Sequence, residues 1–600
     1  MKKSFYKLIY ISFVFLFLMC AGGMVKNEIV SAASWTSQTE APSLTDKDGY
    51  TVIQNEKQLA YLINSISASG KYRLGRNLNM SGYTWPGVQK TFSGTFDGAG
   101  FVIENISPEA KSVHGLFTSL SGATVRNLSL NNCSFKGYTS VGAIAGTTAG
   151  ATVIEKIVLT DCKVEVAYST SGAWPNVGGV VGYADGTTKL QNVYNIKVID
   201  AYVKSTVNNT NSKDIYMGGI VGLTKNNVTV QYCLNEATIS NTSKVSATNG
   251  LFAGGIAGYS YCAISNCGNT GAISGGNTAV NSSYVGGIVG YTPNSISNCY
   301  NRGNVTANAK ENSSPSTSSY SKSMSHVTLS SSGYKQTVYE KMAKAGGIAG
   351  HVDGSISTVY STGTASGGYK RIKIEVSVGN SSSSVSGGAP PSHYWSSYTQ
   401  TTTTKTSSYD ASITYDDVIY VSDINGNVAK TGTNVYGHKS YLTNNASYSA
   451  HERVTSSSVT ETVYRSGSRS VTSSSSSVLS DASKASASSQ AYTVSKSVSL
   501  TAPSGSKSYS GTKFSITIGA SSASISFANT ASWETGALWW KESHSETETM
   551  SLYSVSYSAR KTNYAISSNL KTLQSGFSSS VWAVNSNINS GYPYLIKLYW

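Results

Sequence analysis

Aliphatic residues enter this chain in pairs, widely spaced and fenced by glycine. Val180-Val181, Ile220-Val221, Ile256-Ala257, Ile288-Val289 and Ile348-Ala349 each sit inside a phrase that reads small-Gly-Gly-aliphatic-aliphatic-Gly. The full copies run 177–182, 217–222, 253–258, 285–290 and 345–350, and a degenerate first copy, with Ala143 for the second Gly, runs 141–146. Their starts lie 36, 40, 36, 32 and 60 residues apart, a recurrence that signals stacked repeats. Within one repeat the order is Tyr284–Tyr291, then Ser295–Asn301, then Gly303–Thr306. Each piece is too short for a helix and is bounded by Gly, Asn or Pro, so each repeat predicts three short strands with corners. Recurring in parallel, such repeats make an all-β chain, a right-handed parallel β-helix of about eight coils stacked about 4.8 Å apart.

The pattern changes at both ends. Leu59, Leu62 and Ile63 share one face at helical spacing, Asn55 stands where a cap belongs, and Gln58 follows three residues on. This predicts a helix near 56–66 that covers the open first coil. Phe92–Ile103 reads as strand, Asp-Gly turn, strand, and Asp97 is a turn residue before it is a candidate acid. Beyond residue 367 the repeat disappears into Ser, Thr and Tyr. Alternation survives at Ile372, Ile374, Val376, Val378 and at Phe514, Ile516, Ile518, and Asn425-Gly426 has the composition of a hairpin turn. The expected divisions are a leader over 1–33, a cap and first coils over 34–110, repeats over 111–367, a β-rich insertion over 368–564 and a last coil with cap over 565–600.

Aligned repeats give columns. Cys133, Cys162, Val193, Cys233, Cys267, Cys299 and Val359 align as one, and Val occupies it twice, so the column asks for a small apolar residue; Cys262 lies off it. The cysteines lack Cys-x-x-Cys spacing and His partners, which speaks against zinc. Parallel, in-register side chains also suit disulfides poorly. Asn195, Asn235, Asn269 and Asn301 form a second column, fit for amide-to-amide bonding along a stack. Tyr183, Leu223, Tyr259, Tyr291 and His351 form a third, either an aromatic ladder or a surface for sugar rings.

Composition narrows the class. Only 12% of residues are charged while Gly, Ser and Tyr abound, a profile of extracellular β structure and not of a charged disordered tail or a helical enzyme. The net charge of +15 is scattered without a Lys/Arg run, which argues against nucleic acid and favours an anionic surface. Lys2-Lys3, the apolar run Leu8–Met19 and Ser31-Ala32-Ala33 follow the order of a secretory signal with cleavage near Ala33. Met19 before Cys20 is a poor lipidation context, and no second apolar run is long enough for a span.

The phrase Gly-Gly-Ile-Val-Gly-Tyr, then Ile-Ser-Asn-Cys-Tyr-Asn, then Gly-Asn-Val resembles the GLUG repeat of bacterial surface proteins. Phe92–Ile103, His114–Phe117, Ala123–Leu128 and the ending Val581–Leu595 are similar to that family's flanking segments. The resemblance implies a secreted, adhesin-like protein or a neighbour of immunoglobulin-A-cleaving peptidase domains. Such a peptidase needs His-Glu-x-x-His; His451-Glu452 is followed by Thr455 where the second His belongs. The array's acids, Asp161, Asp185, Asp200 and Asp353, fall in different columns, with no paired carboxylates. The expectation is therefore a secreted or surface-associated, non-catalytic binding or adhesion protein on a β-solenoid stalk. It would have no catalytic, cofactor or metal residues, and its partner would be a glycan, extracellular matrix or an anionic wall polymer. A polysaccharide lyase or hydrolase and a passive wall protein are the alternatives. Residues 368–564, with Trp533, Trp539 and Trp540 as anchors, are the expected contact region.

Overall fold

A computed structural model describes residues 33–109, 114–168, 174–197, 199–206, 213–225, 227–243, 250–319, 333–386, 397–426, 432–438, 446–464, 469–486, 490–496, 508–518, 522–537, 540–556, 564–567 and 569–598. The leader lies outside them. The chain is all-β with one α-helix, Glu56–Ser65, among the described residues. Asn55 accepts the Gln58 N–H at 2.9 Å and Gln58 Oε1 accepts the Gln54 N–H at 2.8 Å. The two bonds, one at the cap and one at the residue before it, start the helix. Leu59, Leu62 and Ile63 are buried and join the core that runs through the repeats.

Four sheets with parallel pairing hold the repeats. Sheet I has fifteen strands; its path begins at Thr51–Ile53 and passes through Thr124–Asn131, Val153–Thr160, Lys189–Ile196, Thr229–Asn235, Ile296–Asn301 and Ile356–Ser361. Sheets II, III and IV have seven strands each. One circuit visits them in order: Ser282–Gly286 in sheet III, Val289–Thr292 in IV, Ile296–Asn301 in I and Val305–Ala307 in II. A repeat is thus four strands where three were expected. The glycine phrase is the reason, because it contains a corner and spans two strands.

The phrase works by close approach. A Cβ on Gly254, the first glycine, would lie 2.1 Å from the Ala257 carbonyl oxygen and 2.6 Å from the Val289 Cα. On Gly255, the second, it would lie 2.3 Å from the Gly287 oxygen and 2.4 Å from the Asn269 Cγ. The third glycine lies inside the second strand: Gly258 is within Ala257–Ser260 and its missing Cβ leaves room for the Met217 backbone nitrogen.

Sheet I carries the main aliphatic ladders. Val125, Ile154, Leu190, Val230, Ile264, Ile296 and Ile356 pair in register, and all are buried. Three residues further on, Leu128, Ile157, Val193, Cys233, Cys267, Cys299 and Val359 are also buried. Two-residue alternation forbids that spacing in a regular strand. The residue before each of these bends the strand with a left-handed backbone: Asn127, Lys156, Asn192, Tyr232, Asn266, Asn298 and Thr358 have φ of 50–55°. Four of the seven are Asn, the side chain that tolerates this conformation best after Gly.

The cysteine column divides in two. Cys233 and Cys299 stand on the ladder of Val193 and Val359, with Cys267 between them, whereas Ser134 pairs with Lys163 and so sets Cys133 beside Cys162 at the next corner. The sequence alignment was five residues out for the first two, because Leu128 and Ile157 fill the ladder there. The six cysteines from Cys133 to Cys299 are free and buried, Cys262 included.

Residues beyond 367 also depart from expectation. Asn425-Gly426 is no hairpin turn. Val421-Ser422-Asp423-Ile424-Asn425-Gly426 is a further copy of the glycine phrase, with Val421 opposite Ala345 and Asn425 bridged to Ala349. Thr433–Gly437 follows it onto sheet I. The 368–564 stretch is therefore two excursions with a circuit between them. The antiparallel structure expected there is present as a six-stranded sheet over Glu311–Ser486 and a four-stranded sheet over Gln490–Ser556. Ile374, Val376, Val378, Ile413, Ile525 and Phe527 are buried, and Tyr415 and Tyr553 share a hydroxyl bond at 2.8 Å that links the two sheets.

Ala565–Ile566 returns to sheet I, but the remaining C-terminal residues lie along its flank and not over its end. Trp582, Phe577, Leu595 and Leu598 pack on Leu234, Tyr300 and Tyr360.

Candidate functional site

The corner between sheets III and IV is re-entrant, so residues on the outer faces of the two sheets meet across it. Tyr183, Leu223, Tyr259, Tyr291 and His351 stack in register on sheet IV. Tyr216, Phe252, Tyr284 and Lys344 stack on sheet III. Phe252 meets Tyr259 edge-on at 5.3 Å, Tyr216 meets Tyr259 at 5.8 Å, and Tyr284 meets His351 at 5.9 Å. The glycines of the phrase form the floor of this crease. The first column was legible in the sequence; the second was missed, although its residues stand directly before each glycine phrase.

Ring faces in the crease are already used. Phe252 and Tyr284 stack at 5.0 Å with planes 5° apart, and Tyr291 and His351 at 5.1 Å with planes 17° apart. The sugar-stacking option for the tyrosine column therefore loses its surface; edges and hydroxyls remain. Those hydroxyls meet acids: Tyr183 donates to Asp185 at 3.0 Å and Tyr216 to Asp214 at 3.2 Å. Burial, then the Asp185 carboxylate, pushes the Tyr183 phenol up to about 12. Burial also raises the Asp214 carboxyl above its ordinary range. The crease is thus a line of neutral phenol donors beside carboxylates, with Lys344 and His351 at its C-terminal end.

The other expected positions are structural or undescribed. Asp97 is buried, 3.2 Å from Arg126 and accepting from Asn127 at 3.0 Å and from the Ala99 N–H at 2.9 Å. Burial would raise its carboxyl, but these hydrogen bonds and the guanidinium outweigh it and hold it below the usual range. Asn235 donates to Asn269 at 2.8 Å and Asn269 to Asn301 at 2.7 Å, so the asparagine column is an amide ladder from Asn235 to Asn301, while Asn195 donates to the Gly219 carbonyl at 2.8 Å. His451 and Glu452 lie in the strand Ala446–Tyr464, opposite Asp410 and Tyr409. Trp539 lies outside the described residues, as do the side chains of Trp533 and Trp540. Among the described residues no three of His, Cys, Asp and Glu are grouped to hold a metal. No helix among them is long and apolar enough to cross a membrane.

Comparison with known proteins adds the class. Residues 281–306 match the GLUG motif, and the chain is a GLUG-motif protein. Residues 47–160 match the N-terminal region of the M26 IgA1-specific metallo-endopeptidases. Among curated proteins the chain is 25% identical over 243 residues to an immunoglobulin A1 protease of Streptococcus pneumoniae, covering 34% of this chain and 12% of that one. It is 28% identical over 218 residues to an immunoglobulin A1 protease of Streptococcus sanguinis, covering 34% and 10%. The chain thus spans about an eighth of the length of the relatives it matches. No solved structure matches it. These matches overturn two expectations drawn from the sequence, the non-catalytic adhesion protein and the assignment as no enzyme. They point to a protein of the protease family.

Proposed function

We propose that this chain is a secreted or surface protein of the immunoglobulin A1 protease type, and that its stacked circuits hold a protein substrate for proteolysis. The match of residues 47–160 to the peptidase N-terminal region carries this reading. That stretch covers the helix and the opening circuits on which the later ones stack. The four-sheet circuit is read as a right-handed parallel β-helix, the hand that parallel crossovers adopt. A rigid rod of that kind presents a repeated outer surface to an extended partner. The crease supplies hydrogen-bonding edges along that surface, and the Lys2-to-Ala33 segment supplies export.

Two connections between sheets II and III grow into long excursions at one corner, 308–342 and 367–420, beside the sheet that forms half of the crease. Insertions gathered on one face of a repeat array favour that face for contact. The test is binding of purified chain to immunoglobulin A1 and its effect on cleavage by the Streptococcus pneumoniae enzyme. The expected result is measurable binding and slower cleavage by competition. Absence of both would remove the proposal, and cleavage by the chain itself would locate catalysis within it.

A further inference from the structure

Lys344 and His351 take the places at the C-terminal end of the crease that aromatic rings hold in the preceding circuits. The Lys344 Nζ lies 3.0 Å from His351 Nδ1, and His351 Nε2 lies 2.9 Å from Asp353 Oδ1. The carboxylate fixes the tautomer: Nε2 carries the hydrogen, and the Nδ1 lone pair faces the amine. Asp353 is itself held by the Tyr291 hydroxyl at 2.5 Å. The ring of Tyr284 lies 5.3 Å and that of Tyr420 5.9 Å from Nζ, and the Tyr420 hydroxyl donates to Glu340 at 2.6 Å. Among the described residues Lys344 forms no direct ion pair with a carboxylate. Its amine, half-buried among rings, has a base in contact. Burial lowers the Lys344 pKa, against the opposing pull of Asp353 and Glu340.

We infer that Lys344 is an amine nucleophile that condenses with small aldehydes, with His351 as its base and Asp353 as the residue that positions the imidazole. The neutral amine attacks the carbonyl carbon, the C–N bond forms and the carbonyl π pair moves to oxygen. His351 Nδ1 takes the proton that nitrogen sheds, and the Asp353 carboxylate steadies the imidazolium. The imidazolium returns its proton to the carbinolamine oxygen. The C–O bond then breaks as the nitrogen lone pair forms the C=N bond, and the proton still on nitrogen passes through His351 to the departing hydroxyl, which leaves as water, so that amine and aldehyde become imine and water.

The test is reductive methylation of the full chain with formaldehyde, cyanoborohydride serving only to trap the imine. The rate at each lysine is read by peptide mass spectrometry from pH 6 to pH 10. At pH 7 Lys344 is expected to react about tenfold faster than the median lysine. His351→Gln is expected to bring it to the median. Asp353→Asn is expected to lower the plateau of its rate, because His351 becomes a weaker base, and to move the rise of its rate to lower pH, because the carboxylate's pull on the amine is gone. Lys344→Arg removes the product, while unchanged rates at Lys189 and Lys225 report an intact array. A Lys344 rate at or below the median, or one indifferent to His351→Gln, overturns the inference.

Discussion

At the residue scale, a few side chains carry constraints that composition alone would not rank. In four of the phrases the second glycine and the asparagine of the same circuit occupy one another's space: Gly179 faces Asn195, Gly219 faces Asn235, Gly255 faces Asn269 and Gly287 faces Asn301, while Gly347 faces Ser361. In the first copy, where Ala143 replaces the glycine, Leu159 stands in the asparagine column. Gly255→Ala would press a methyl on both Asn269 and the Gly287 carbonyl, and Asn269→Ala would orphan buried amide partners. Asn269→Ala is expected to cost about 1–3 kcal/mol. Gly255→Ala should cost more, and the double variant less than the sum, all measured by urea denaturation.

Thr358 offers the opposite sign. A β-branched residue at φ 53° is strained where four of its counterparts are Asn. Thr358→Asn is expected to stabilise by up to about 1 kcal/mol. The thiols on the ladder should be inert. Burial raises Cys267 and Cys299 well above an ordinary thiol, so both stay protonated at neutral and mildly alkaline pH. Labelling with a maleimide is expected only after unfolding.

At the element scale, the C-terminal segment behaves as a strap. Tyr360 donates its hydroxyl to the Pro593 carbonyl at 2.5 Å, Arg302 donates to Asn589 at 2.9 Å, and Trp582 is buried against Tyr300 and Tyr360. Trp582→Ala should cost about 3–5 kcal/mol of docking free energy. Hydrogen exchange should then rise over 570–598 while sheet I stays protected, because the strap adds no strand to the ladders beneath it.

At the scale of the whole molecule, one acid ties the opening circuits together. Asp97 sits between Arg126 and Arg73, and Arg73 also reaches Asp46 at 2.6 Å. Its carboxyl is depressed in the folded state, so its contribution is present above the unfolded value of about 4 and is lost as pH falls through the folded one. Asp97→Asn is expected to lower stability at pH 7 and to flatten the acid limb of a stability–pH profile measured by thermal melts. The same stretch, 47–160, is where the peptidase match lies, so the variant also tests whether an intact opening is needed for the proposed binding of immunoglobulin A1.

The sequence by itself determined the all-β class, the repeat, the helix with its Asn55 cap, the asparagine ladder and the first aromatic column. Each is a local pattern whose period equals the stacking unit. It also held the GLUG resemblance. Register was decided only in three dimensions. Whether Cys133 aligns with Cys233 depends on a left-handed bend at Asn127, which the alternation rule does not contain. Val421–Gly426 joins the array through backbone pairing, although Ser422 and Asp423 replace both leading glycines. The meeting of Lys344, His351 and Asp353 with the rings of Tyr284 and Tyr420 is likewise tertiary. It depends on a re-entrant corner that folds two outer faces toward each other, a geometry that glycine permits without announcing.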